Sequence, residues 1–403
     1  MISFEEACSL VMGLARPLGA ERVSLDRADG RVLAEDLVAT APLPAFDHSA
    51  MDGYALATGD LSGEPPFALP VRGTSAAGPE LSTFVPGSAM RIYTGARTPP
   101  GADAVIMQED VERTGEGDAA TIRFSKRPTA GANIRYAGSD LRAGAVALAR
   151  GRRLGPGQVA LAAALDRPTL LVGRRPVVAV LGSGDELRSP GEPARPGSVV
   201  ESNGYFVASA ARRAGAIARV LPFMGDELEL ATDRAKDALR GVDLLVTIGG
   251  VSVGDRDVVR PALEAAGVHI ELHKVAMKPG KPITFGTTAH AVVLGLPGNP
   301  ASASLTFLVF GVPLIRALAG ESQPAAPRRV ATVRGTHRRK PGRTELVRAR
   351  LGQNGEVELL PNQASGAVTS FAEADVLVVV PAAHGDVVDG EALETLRIAE
   401  IFG

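Results

Sequence analysis

The spacing of apolar residues changes period several times along the chain. Near the N-terminus, Phe4, Leu10, Val11 and Leu14 recur at helical spacing, and "RVSLDRADGRVLAEDLVA" follows as an extended stretch with a turn at Ala28 to Gly30. From Pro44 to Asp140 the apolar runs are short and β-like: "PFALPVRG", "SAMRIYTGA", "DAVIMQEDVERT" and "ATIRFS", separated by Gly and Pro turns. This texture predicts a small all-β domain, after which "GQVALAAALD" reads as a helix.

From Arg175 onward, strand and helix patterns alternate. "PVVAVLGSGDEL" is a strand entering a Gly turn, and "SNGYFVASAARRAGA" is a helix capped by Ser202 or Asn203. "ARVLPF", "DELELATDRAKDALR", "VDLLVTIGG" and "DVVRPALEAAG" continue as strand, helix, strand and helix. "HIELHKVAMKPGKPITFG", the strand "AVVLGL" and the helix "ASLTFLVFGVPLIRALAG" complete the series. The alternation predicts an α/β domain, a doubly wound parallel sheet covered on both faces. Such sheets take ligands at the carboxyl ends of their strands, where the polar turns fall here. After the linker "ESQPAAPRR", the runs "VATVRGT", "TELVRARL", "EVELLP", "DVLVVVP" and "ETLRIAEI" predict a second compact β domain.

Length and composition narrow the function classes. A chain of 403 residues carries a prior of roughly two to four domains. A formal net charge of −2 with no basic tail disfavours a nucleic-acid partner, although a local basic patch can still hold a small anion. Cys8 is the only cysteine, which excludes an intrachain disulfide and a thiolate zinc site and fits a reducing cytoplasm. Two early glutamates and no basic leader argue against a signal peptide. The stretch from Ala291 to Ile315 has no formally charged side chain and is long enough to cross a bilayer. Pro297, Gly298, Asn299, Pro300 and Pro313 interrupt it, so it reads as a buried strand, a polar turn "PGNPAS" and a core helix, and no membrane span is expected.

Several turns carry chemistry. In "LGSGDEL", Gly182 and Gly184 free the backbone at a strand end while Asp185 and Glu186 supply carboxylates able to hold Mg²⁺. "IGGVSVGDRD" follows an apolar strand with three glycines, Ser252, Asp255 and Asp257, a pattern suited to an anion held by backbone amides beside a metal. It is no Walker loop, because no Lys with Ser or Thr follows the last glycine. "MKPGKPITFG" sets Lys278 and Lys281 around a Pro-Gly turn, a clamp for phosphate or another oxyanion. "LPGNPAS" is either a helix start capped by Ser302 or Asn299, or a rigid wall facing a phosphate. Arg343 and Arg348 in "GRTELVRARL", with Ser365, Gly366 and Ser370 in "QASGAVTS", read equally as a ligand contact and as a solvated β edge. The six histidines show no pair at helical metal spacing. "FDHSAMDGYAL" has neither helical nor strand periodicity: it is a turn, or part of a site.

Eight blocks in order, "FDHSAMDGYA", "RIYTGA", "GSGDEL", "GGVSVGDRD", "MKPGKP", "LPGNPAS", "GRTELVR" and "SGAVTSFAEAD", span nearly the whole chain. Together they resemble the molybdopterin molybdenumtransferase family, which is related to the C-terminal domain of gephyrin. The resemblance implies an elongated multidomain subunit: an N-terminal segmented domain of residues 1–43 and 141–174, an inserted β domain of 44–140, a molybdopterin-binding α/β domain of 175–324, and a C-terminal β domain of 325–403. It also implies a cytoplasmic homodimer in which Asp52 and Thr94 of one subunit complete a cleft formed by Glu186, Asp226, Asp257, Lys278 and Lys281 of the other. Asp52, Thr94, Glu186, Asp226 and Asp257 would be catalytic, and the last three would hold Mg²⁺. Substrate contacts would come from Ser183, Gly250, Ser252, Lys278, Lys281, Pro297, Asn299, Arg343, Arg348 and Ser370.

The implied reaction inserts molybdate into adenylyl-molybdopterin and releases AMP, with Mg²⁺ assisting and with a molybdopterin adenylyltransferase or molybdoenzyme chaperones as protein partners. Within "FDHSAMDGYAL" this makes Asp52 the catalytic candidate to test first, Asp47 and Ser49 shapers of the loop, and His48 minor. Two features depart from the family pattern: Gly182 and Ser183 replace the usual serine and threonine of "STGDEL", and the acidic residue before "SN" is Glu201. The alternatives are a molybdopterin adenylyltransferase, against which "GGVSVG" speaks because that family carries a "GGTG" type loop, and a noncatalytic scaffold of the gephyrin type.

Overall fold

A computed structural model describes residues 1–225, 227–250 and 258–402, apart from the side chains of Leu272 and His273. The chain divides into two compact units. One comprises Met1–Glu35, Arg150–Val159 and Thr169–Gly403, and the other Asp36–Ala149 with Ala160–Pro168.

The smaller unit is built on a six-stranded sheet in the order Ala104–Met107, Gly53–Leu56, Ala89–Ile92, Phe67–Ser75, Thr121–Phe124, Glu112–Thr114. Alternation along Phe67–Ser75 turns Phe67, Leu69 and Val71 to a core shared with Leu56, Ile106, Ile122 and Phe124. Two flanking ladders, His48–Ser49 with Ile134–Arg135 and Leu37–Val38 with Val146–Leu148, join segments far apart in sequence.

At the centre of the larger unit lies a six-stranded sheet in the order Ile217–Val220, Val177–Gly182, Leu244–Ile248, Val292–Leu296, Pro282–Thr287, His269–Lys274. The first four strands are parallel, as the alternating pattern requires. The expectation of an all-parallel sheet needs one correction: Pro282–Thr287 runs antiparallel to both neighbours. Short connections on either side of it, Val275 to Lys281 and Thr288 to Ala291, allow only antiparallel pairing.

Both faces of the sheet are covered. Val178 and Val180 face the helices Asn203–Arg213 and Pro300–Leu318, while Ala179 and Leu181 face the helices Leu228–Ala238 and Val259–Ala265. Pro300–Leu318 is the one helix among the described residues long and apolar enough to cross a membrane, and 89% of its most apolar window is buried inside the protein. It is the core helix expected from the sequence. The segment Phe307–Gly311 widens into a π-turn just before Pro313, which has no N–H to donate and whose ring crowds the preceding turn.

The last domain closes on itself. Thr344–Leu351 pairs with Val357–Leu359, then come Arg329–Arg334, Ala392–Arg397 and Val376–Val380, and this last strand pairs back with Thr344–Leu351. Closure leaves no open edge among these five strands. Val333, Val347, Val357, Val376, Val378 and Val380 fill a common core. Met277–Lys278 adds to the outside of Thr344–Leu351 in parallel register, with Lys278 opposite Glu345. The short lysine loop is thereby tied to both the α/β sheet and the closed β domain.

Candidate active site

The strands Val177–Gly182 and Leu244–Ile248 are neighbours whose chain connections leave in opposite directions across the sheet, the position at which open α/β sheets form a ligand crevice. Their carboxyl ends meet in register, Gly182 opposite Ile248 and Ile248 opposite Leu296. Backbone bonds continue past the strands, from Ser183 N–H to the Ile248 carbonyl and from Gly249 N–H to the Leu296 carbonyl, each 3.0 Å. Ser183, Gly250 and Pro297 therefore sit at adjoining strand ends, with Pro297 buried. Gly184 has φ +135°, and a Cβ there would stand 2.4 Å from Glu186 Oε2, so the Glu186 carboxylate folds back over the glycine. Asp226, Ser252, Asp255 and Asp257 lie outside the described residues. Among the described residues there is no group of three or more His, Cys, Asp or Glu side chains placed to hold a metal ion.

Beside these strand ends is a cavity of about 510 Å³ that brings together Lys278, Lys281, Asn299 and Arg343, with Ser302 and Gln363 completing the wall. Its described lining carries three cations and no carboxylate. Gly280 shapes the lysine loop: its φ is +101° and a Cβ would stand 2.4 Å from Thr306 Oγ1, so the loop approaches the core helix as only glycine permits. Asn299 occupies the N-cap position of that helix, yet its side chain makes no capping hydrogen bond and the helix opens on Pro300 instead. The loop before it is held from outside, by Asn203 Nδ2 donating to the Gly298 carbonyl at 2.8 Å.

Arg348 and Ser370 are not on the cavity wall. Arg348 is fully buried, and its Nε donates to Ser370 Oγ at 3.1 Å. Its Nη2 donates to the carbonyls of Asn362 and Ala364, both at 3.0 Å, and so fixes the loop that contributes Gln363 and Ala364 to the cavity. Its Nη1 is buried with no hydrogen-bond partner among the described residues. Burial pushes the guanidinium pKa below its usual range. A cation of this kind behind the wall adds to the positive potential in front of it.

Sequence reasoning missed Glu345. Its carboxylate is buried and meets Lys278 Nζ at 3.4 Å, His337 Nε2 at 2.8 Å and Arg339 Nε at 3.4 Å. Burial pushes its pKa up, and the His337 hydrogen bond with the charges of Lys278, His337 and Arg339 more than offsets this, leaving it below the ordinary carboxylate range. Glu345 thus pairs with the ammonium of Lys278 and fixes where it sits.

Glu201 corrects the capping expectation. Ser202 stands at the N-cap of the Asn203–Arg213 helix without a side-chain bond, and Glu201 Oε1 accepts the Gly204 N–H at 2.6 Å instead. Glu201 is buried, burial raises its pKa, and Oε2 has no partner among the described residues.

In the smaller unit, Asp52 Oδ1 accepts from the Thr94 backbone N–H at 2.7 Å and from the Thr94 hydroxyl at 2.9 Å. The structure thus brings these two expected residues together. The loop around Asp52 is built by its neighbours: Asp47 Oδ1 accepts the Ala137 N–H at 2.7 Å, and buried Ser49 donates to the Met51 carbonyl at 2.6 Å. His48 Nδ1 lies 3.2 Å from the Phe46 carbonyl, a contact within the loop. Burial pushes the Cys8 thiol up to about 11, which disfavours its thiolate form at neutral pH.

Comparison with known proteins agrees along the whole length. Residues 2–165 match the MoeA N-terminal region (domain I and II), residues 179–317 a probable molybdopterin binding domain, and residues 330–397 the MoeA C-terminal region (domain IV). A molybdopterin molybdenumtransferase of Haemophilus influenzae is 35% identical over 411 residues, covering 100% of both chains. Molybdopterin molybdenumtransferase 2 of Mycobacterium tuberculosis is 38% identical over 408 residues, covering 98% of this chain and 99% of its own. A solved molybdopterin biosynthesis moeA protein from Pyrococcus horikoshii OT3 superposes with a TM-score of 0.85 at 26% identity, over 98% of this chain and 100% of that one. The chain belongs to the molybdopterin molybdenumtransferase (MoeA) family.

Proposed function

We propose that this protein inserts molybdate into adenylyl-molybdopterin and releases AMP, giving the molybdenum cofactor. The observation that carries the reading is the cavity lined by Lys278, Lys281 and Arg343, with buried Arg348 holding the Asn362–Ala364 loop of its wall. Molybdate is a tetrahedral dianion and the phosphoanhydride is also anionic, so cations gathered around one cavity stabilise both. Lys278, its ammonium positioned by Glu345, and Lys281 bind and orient the oxyanion, while Asn299 presents an amide that helix capping leaves free. Ser183 and Gly250 at the adjoining strand ends offer contacts to the remainder of the substrate.

Mg²⁺ fits the donor chemistry of the strand-end loops, because it is commonly held by one or two carboxylates together with substrate phosphates. Glu186 would supply one carboxylate, with Asp226 and Asp257 as the expected others. When bound, the ion would neutralise charge on the phosphoanhydride.

The reaction site, in this reading, is shared across a homodimer, Asp52 and Thr94 of one subunit serving the lysine cavity of the other. The four-domain division, a cytoplasmic location and exchange with adenylyltransferase or chaperone partners belong to the same proposal. Complementation of a strain lacking molybdenum insertion tests it: the parent protein restores molybdoenzyme activity and an Asp52→Asn variant does not. Full rescue by the variant would favour a scaffold role over catalysis at Asp52.

A further inference from the structure

The loops that hold Asp52 also carry three large apolar side chains facing solvent: Phe46, Met51 and Tyr93 are 39%, 40% and 43% exposed. Backbone bonds zip these loops together, from Gly95 N–H to the Ser49 carbonyl, Ser49 N–H to Ala96 and Thr98 N–H to Asp47. A cluster of exposed apolar groups on loops pinned this firmly marks a binding surface more readily than a flexible tip would.

Tyr93 stands apart within the cluster. The Arg91 guanidinium lies 4.8 Å from its ring and 5.2 Å from the ring of buried Tyr54. Arg91 is itself fixed at both amino groups, Nη1 donating to the Gly53 carbonyl at 3.0 Å and Nη2 to Gln108 Oε1 at 2.6 Å. Tyr93 is therefore an exposed aromatic face backed by an anchored cation, one residue from Thr94. A ring pinned in this way loses little freedom when another ring stacks on it, and the guanidinium places positive charge where an anionic ligand approaches.

We propose that Tyr93 is a stacking shelf for a planar nitrogen heterocycle of the substrate, its adenine or its pterin, held beside the Asp52 carboxylate. The proposal rests on the reading of function above and names which side chain of the smaller unit grips the substrate's ring. Base–aromatic stacking sets the scale, about tenfold or more in affinity.

Steady-state AMP release from adenylyl-molybdopterin and molybdate is compared for the parent, Tyr93→Ala and Tyr93→Phe, with molecular mass followed by light scattering. Tyr93→Ala raises KM about tenfold at nearly unchanged kcat, while Tyr93→Phe, which keeps the ring, stays close to the parent. Calorimetric titration with AMP and, separately, with molybdopterin identifies the ring, because only the one that stacks loses affinity in Tyr93→Ala. Parental KM and parental affinity for both compounds in Tyr93→Ala would overturn the shelf. So would a change of molecular mass in that variant, which would make this face a subunit contact. Failure of the parent itself to release AMP would refute the functional reading, and the titrations would still decide whether Tyr93 stacks.

Discussion

Thr94 donates two hydrogen bonds to a single oxygen of Asp52, a residue 42 positions earlier in the chain. The backbone N–H contributes most to holding the Asp52 pKa below its ordinary value, followed by the hydroxyl, and Arg91 adds a favourable charge against a small desolvation penalty. A depressed folded-state pKa means the stabilisation is present above the ordinary aspartate value of about 3.9 and is lost as pH falls through the folded value. Asp52 is thus ionised throughout the neutral range.

Thr94→Ala removes one of the two donors and keeps the backbone one. The acid limb of the pH–rate profile moves to higher pH in this variant, while the neutral plateau changes less. Asp52→Asn lowers kcat/KM by about a hundredfold on the neutral plateau, the low end of what a positioned acid or base contributes, and the gap narrows as pH falls through the folded Asp52 value. Its thermal midpoint stays near that of the parent, since the pair lies at the surface. An acid limb unmoved in Thr94→Ala would separate Asp52 ionisation from the rate.

Glu345→Ala leaves Arg339, His337 and Lys278 without their shared carboxylate, and breaking a buried ionic cluster on one side costs about 3–5 kcal/mol. Denaturant unfolding shows the loss. Because the folded pKa of Glu345 is lowered, its contribution is present above the usual glutamate value of about 4.3 and disappears as pH falls through the folded value. The gap between parent and variant therefore narrows in acid. Loosening of Lys278 also weakens molybdate binding, measurable by calorimetry.

Glu201 has the opposite sign. Its raised folded pKa makes the native state favoured below the usual glutamate value and progressively penalised as pH rises through the folded value. Glu201→Gln keeps an acceptor for the Gly204 N–H and removes the charge. The midpoint difference, variant minus parent, becomes more positive as pH rises from the usual glutamate value of about 4.3 through the folded value. A flat difference over that window would mean that the carboxyl does not titrate against its burial.

Much of this was legible in the sequence because the informative residues cluster locally. Lys278, Lys281 and Asn299 lie in Gly-Pro turns at the ends of apolar runs, and turns at strand ends converge when the sheet forms. The antiparallel strand Pro282–Thr287 was not legible, since an apolar run has the same texture in either direction and only the lengths of its connections decide. Arg348 misled for a related reason: two positions before exposed Arg350 on one strand, it reads as a solvated edge, whereas closure of the β domain buries Thr344 through Ala349 entirely. Glu345 and Glu201 left no signal, because their roles depend on packing and, for Glu345, on Lys278 67 residues away. Asp52 and Thr94 were grouped only through resemblance to a family, and the hydrogen bonds between them, 42 positions apart, left no sequence signal.

The most direct measurement is AMP release from adenylyl-molybdopterin with molybdate, in the presence and absence of the protein. The account predicts release accelerated by the parent protein, dependent on molybdate, and lowered severalfold by Lys281→Ala through loss of a cation from the cavity. AMP appearing no faster with the protein than without it would contradict the account.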